Sequence, residues 1–189
     1  MPRLSQLAQV PAVLLAVAML LACERSSTGP APATTPSFSV GSTADDGQLQ
    51  APGHAGGRQV GTMGSGGGHL HFVDSSTPGI EYWLDVPAGA LSTSASVQLE
   101  VLPGDRYLVS LRATSAAGED VGRKGFGQPV RLTISYATTR TAAPPPRLFI
   151  ACIPDDGGAP VVVKSQVNPG QLTVTGFLPH FSHWSIIAN

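Results

Sequence analysis

Charge is scarce in this sequence: 11 Lys and Arg stand against 12 Asp and Glu in 189 residues, for a formal net charge of −1. A chain so poor in cations has no electrostatic footprint for nucleic acid or for anionic lipid. Cysteine is scarcer still, with Cys23 and Cys152 alone, so the fold must rest on its core. Cys152 sits in the apolar run Leu148-Phe149-Ile150-Ala151-Cys152-Ile153, where a buried, inert thiol is expected. No stretch beyond residue 57 has helical periodicity. The glycine run Gly64-Ser65-Gly66-Gly67-Gly68 lacks the Lys and Ser/Thr of a phosphate loop and leads into a strand, which excludes nucleotide binding there. It reads as a hinge.

The longest early apolar run, Val10 to Ala22, is too short for a bilayer span, which takes about 20 residues. It fits the apolar region of a secretory signal, preceded by Arg3 and closed by small residues. Its last residues, Leu20-Leu21-Ala22-Cys23, resemble the lipobox of bacterial lipoproteins. The resemblance implies a signal peptide over 1–22, removed in the mature protein, and acylation of Cys23 as the new N-terminus. Each buried methylene contributes about 0.8 kcal/mol, so several acyl chains on one residue hold a protein to lipid almost irreversibly. Glu24, standing where an Asp would retain the protein at the inner membrane, implies export to the outer membrane. Acylation of Cys23 leaves Cys152 the lone thiol and excludes an intramolecular disulfide.

Residues 23–57 are dominated by Ser, Thr, Pro, Ala and Gly. Such a segment buries too little apolar surface to offset its ordering entropy and is expected to be a disordered tether. At roughly 33 residues its ends would lie about 30 Å apart. Residues 58–189 read as one all-β head. Ile80, Tyr82, Leu84 and Val86 alternate with Glu81, Trp83 and Asp85. Val97, Leu99 and Val101 alternate with polar neighbours, as do Val130, Leu132, Ile134 and Tyr136; this is the period of half-buried strands. Further strands are expected at 69–73, 107–114, 148–153, 161–166, 172–175 and 184–188. Turn sequences such as Pro103-Gly104-Asp105 and Asn168-Pro169-Gly170 separate them. The pattern predicts an antiparallel β-sandwich or barrel.

Three patches of the head carry a second resemblance: Gly66-Gly67-Gly68-His69-Leu70, Leu84-Asp85-Val86-Pro87-Ala88-Gly89-Ala90-Leu91, and His180-Phe181-Ser182-His183-Trp184. Together they resemble the ZU-five β-sandwich of zonula occludens proteins, Unc-type netrin receptors and ankyrins. The resemblance implies a sandwich used for binding or packing, with no cofactor. The expected function is therefore a non-enzymatic protein-binding or structural module engaging another envelope protein.

Two alternatives stand beside it. Some relatives of this sandwich cut their own chain at the Phe-Ser bond of the closing motif. Here Ser182 would attack the Phe181 carbonyl, with His180 or His183 as base. The other alternative is glycan binding through Trp83, which faces away from Tyr82 and Leu84 and is expected at the surface. Glu81 and Asp85 share its face, but nothing separates their pKa values as a glycosidase pair requires. His69, His71, His180 and His183 are imidazoles of metal-ligand type, yet no pattern brings the two pairs together, and no metal site is assigned.

Overall fold

A computed structural model describes residues 48–136 and 147–188. The expected signal peptide, Cys23, the expected tether as far as residue 47 and the segment 137–146 lie outside the described residues. Among those described there is no helix, and every strand pairing is antiparallel. The strands are β1 (Gln50–His54), β2 (Gly57–Met63), β3 (Gly68–Val73), β4 (Glu81–Val86), β5 (Ala95–Val101), β6 (Gly104–Arg106) and β7 (Val109–Ser115). They continue as β8 (Val130–Ser135), β9 (Leu148–Cys152), β10 (Val161–Val162), β11 (Ser165–Asn168), β12 (Thr173–Leu178) and β13 (His183–Ala188). A six-stranded sheet, β10-β9-β13-β7-β5-β2, packs on a five-stranded one, β11-β12-β8-β4-β3, and β1 pairs with β6 in a short ribbon. The chain is the β-sandwich that its alternation predicts.

One core joins the inner faces. Tyr82 and Leu84 of β4, Leu132 and Ile134 of β8 and Val174 of β12 meet Val97 and Leu99 of β5, Leu111 of β7, Ile150 of β9 and Trp184 of β13, all buried. The sheets pack tightly at Gly176, where a Cβ would lie 2.6 Å from the Ile150 Cβ. That glycine makes room for the Ile150 side chain, so the pair acts as one knob seated in one notch.

Three sequence expectations need correction. The tether does not reach residue 57, because residues 48–57 belong to the head. Leu49 and Ala51 are buried, the Leu49 N–H donates to the Ile186 carbonyl at 2.9 Å, and β1 pairs with β6. One large apolar side chain in a polar, Pro- and Gly-containing stretch is enough to dock it, a signal that composition averages away. The glycine run 64–68 is no hinge but the tight β2–β3 connection, with the Gly67 N–H donating to the Gly64 carbonyl at 2.9 Å. Gly67 has φ 75°, and a Cβ there would lie 2.2 Å from the Val86 carbonyl oxygen, so both backbone freedom and space demand glycine. The expected strand over 161–166 is divided, with β10 in one sheet and β11 in the other. Ser165 explains the switch: its hydroxyl donates to the Val163 carbonyl at 2.9 Å and accepts from the Ile150 N–H at 3.0 Å. It replaces ladder bonds where the chain leaves the sheet.

Candidate functional site

The outer face of the five-stranded sheet carries an organised row of side chains. Register places His71 opposite Trp83, Trp83 opposite Thr133, Thr133 opposite Thr175 and Thr175 opposite Gln166. One row therefore crosses all five strands. The His71 and Trp83 rings stack at 5.1 Å between centroids and 7° between planes, so both stand upright on the sheet. His71 covers one face of the indole, and the other face looks toward Thr133. His71 is itself fixed by donating from Nε2 to Glu81 at 2.7 Å.

Beyond the indole lies an open groove of about 750 Å³. Trp83 forms one wall, Thr133 and Thr175 the floor, and the β11–β12 hairpin with Gln166 and Asn168 the far wall. The two floor hydroxyls are hydrogen-bonded at 2.8 Å. Asn168 holds the hairpin: its side-chain oxygen accepts from the Gly170 and Gln171 N–H groups, and its amide donates to Gln171 Oε1 at 3.0 Å. Leu172, at this hairpin's tip, is the one non-glycine residue with positive φ among the described residues, at 54°, a conformation costing about 1–3 kcal/mol. The lining holds no charged side chain. In the adjoining row the Asp85 carboxylate lies 3.6 Å from Arg131. Glu81 and Asp85 thus have cationic or imidazole neighbours and are not arranged as an acid and base.

The closing motif is built differently. Phe181 is buried, its ring edge-on to Phe126 at 4.7 Å, and its N–H donates to the Gly122 carbonyl. The Ser182 carbonyl accepts from the Leu111 N–H at 2.9 Å, and the His183 carbonyl from the Ile153 N–H. Backbone hydrogen bonds therefore hold the chain on both sides of the Phe181–Ser182 bond. The Ser182 hydroxyl accepts from the Cys152 thiol, 3.6 Å away. His180 Nδ1 donates to the Phe181 carbonyl at 3.1 Å, and His183 Nδ1 donates to Asp155 at 2.6 Å. Neither imidazole is seated on the hydroxyl it would have to deprotonate. The hydrogen bond from His183, opposed by partial burial and assisted by the charges of His183 and Arg123, holds the Asp155 carboxyl below its usual range.

His69 and His71 lie on β3 at the edge of one sheet, and His183 lies on β13 inside the other. Among the described residues no three His, Cys, Asp or Glu side chains are gathered where an ion could be held.

Sequence reasoning missed a buried His–Asp pair. His54 Nδ1 lies 3.3 Å from Asp74 Oδ2, with the side chains 0% and 1% exposed. His54 Nε2 faces the Arg106 carbonyl at 2.8 Å and must donate to it. Burial, the largest single influence on Asp74, raises its pKa. The Ser76 hydroxyl and N–H, the His54 charge and the Gly56 N–H together outweigh it and hold the carboxyl below its usual range. Tyr82 lies close by, its phenol pushed up by burial and by Tyr107 and Asp74. A lone His and a lone Asp twenty residues apart give no local pattern that could reveal the pair.

Backbone hydrogen bonds hold the three motifs behind the ZU-five resemblance in the fold. The Gly89 N–H donates to the Ser65 carbonyl at 2.8 Å, joining the first two, and the Phe126 N–H donates to the Pro179 carbonyl beside the third. No known protein family matches this chain, and no curated protein matches it.

Proposed function

We propose that this chain is a lipid-anchored envelope protein whose β-sandwich is a non-enzymatic binding module, with the outer face of the five-stranded sheet as its binding face. The groove beside Trp83 carries this reading: an aromatic wall held upright by His71, a hydroxyl floor and a pinned hairpin form a built concavity. The lipobox at Leu20-Leu21-Ala22-Cys23 supports an anchor at the outer membrane, and the tether, ending by residue 47, gives the head reach. The non-enzymatic reading draws on the partners of Ser182, His180, His183, Glu81 and Asp85, none of which is an activated nucleophile or an acid–base pair.

A photocrosslinking amino acid in the full chain tests the binding face in living cells. Placed at Gln166 or Gln171, on the groove, it is expected to give adducts. At Ser96, exposed on the outer face of the other sheet, it is expected to give none. Equal yields from the two faces, or none from the groove, contradict the assignment.

A further inference from the structure

The groove's chemistry is narrower than "binding" implies. From it we infer that the site takes a neutral oligosaccharide, an inference that rests on the five-stranded face being the binding face. The free indole face of Trp83 offers a flat apolar surface of the kind on which the C–H face of a pyranose ring stacks. Directly beside it, the bonded hydroxyls of Thr133 and Thr175 and the exposed amide of Gln166 supply donors and acceptors at the depth where ring hydroxyls would lie. Hydroxyls and amides that both donate and accept suit a ligand whose own groups do the same.

Charge argues by its placement. No ionisable side chain lines the groove, while in the next row Asp85 and Arg131 are paired with one another. A uronic-acid polymer, a phosphorylated glycan or a nucleic acid would find no cation within the groove itself; Lys164, outside its lining, lies 5.6 Å over the Phe177 ring. A protein partner is also poorly served, since interface anchors are aromatic and aliphatic groups that become fully desolvated together. Here one aromatic ring and two aliphatic side chains, Val167 and Pro169, border a lining otherwise made of hydroxyls and amides. The volume of about 750 Å³ falls within the roughly 300–1,000 Å³ of small-ligand clefts. The groove is open and runs beside an edge strand, so a chain longer than one ring can lie along it.

Isothermal titration of the full mature protein in an amine-oxide detergent, chosen because it carries no sugar, tests the inference. The probes are cellohexaose, laminarihexaose, mannohexaose and chitohexaose, with hexagalacturonate as the charged counterpart. Saturable, salt-insensitive binding of at least one neutral hexasaccharide is expected, with none of the uronate. Trp83→Ala is expected to weaken it by about tenfold, equivalent to about 1.4 kcal/mol. Gln166→Ala, an exposed edge-strand substitution that leaves the core untouched, is expected to weaken it several-fold. Absence of saturable binding to all four neutral probes overturns the inference, as does binding that both variants leave unchanged. Groove-specific crosslinks to protein without sugar binding would overturn the glycan while the binding face stands. Loss of both results removes the face as well.

Discussion

Truncation of Trp184 to alanine is expected to lower the unfolding free energy by about 3–5 kcal/mol, the range for emptying a large buried aromatic site. Trp184 is fully buried in β13, opposite Val109 of β7 and Cys152 of β9. A cavity there opens the middle of the six-stranded sheet, where neighbours anchored in three strands cannot collapse inward. A domain of this size has about 5–15 kcal/mol in total, so the variant loses a large part of its margin. Trp184→Phe is expected to cost less. It retains most of the packing and removes an indole N–H that is buried without a hydrogen-bond partner. Urea denaturation followed by circular dichroism reads both variants as shifts in midpoint. A loss below about 1 kcal/mol for Trp184→Ala would mean that the closing motif does not seal the core.

Separating His54 from Asp74 is expected to cost about as much. His54→Leu leaves the buried Asp74 carboxyl without its imidazole neighbour, and Asp74→Leu leaves the buried imidazole without its carboxyl; either removal is expected to cost about 3–5 kcal/mol. The double replacement is expected to be less destabilised than the sum of the two, because an apolar pair leaves no charge behind. The pair also sets an acid limit. Because the folded Asp74 carboxyl lies below its ordinary value, its contribution is complete above the unfolded-state pKa of about 3.9. That contribution is lost as pH falls through the lowered folded value. Asp74→Asn should therefore flatten the acid side of the stability profile. Strictly additive single losses, or an unchanged acid limb in Asp74→Asn, would contradict the pairing.

Where burial repeats every second residue, the fold is legible in the sequence. Tyr82, Leu84 and Val86 alternate with half-exposed neighbours because β4 is covered on one face only, and β5 and β8 follow the same rule. β2 was not readable. Its residues are Gly57 to Met63, mostly exposed, and pairing with β5 holds it in place without burial of alternate side chains. The start of the head was hidden for the opposite reason, since Leu49 is the one large apolar side chain docked there and leaves no period. The division of 161–166 depends on the Ser165 hydroxyl, whose partners Val163 and Ile150 become neighbours only after folding.

The candidate site divides in the same way. Alternation placed Trp83 outside the core. Thr133, Thr175 and Gln166 reach it only through register across four strands, and nothing in their own segments marks them. The Ser182 motif shows the converse: a nucleophile and two bases adjacent in sequence point to chemistry. Each histidine, however, has found another partner, the Phe181 carbonyl for His180 and Asp155 for His183.

Intact-mass spectrometry of the wild-type protein, extracted from membranes, tests the anchor and the non-enzymatic module in one spectrum. The expected result is a single species that begins at Cys23, carries the added mass of acyl chains and runs unbroken through Asn189. A mature chain without lipid, or a product ending at Phe181, would contradict it.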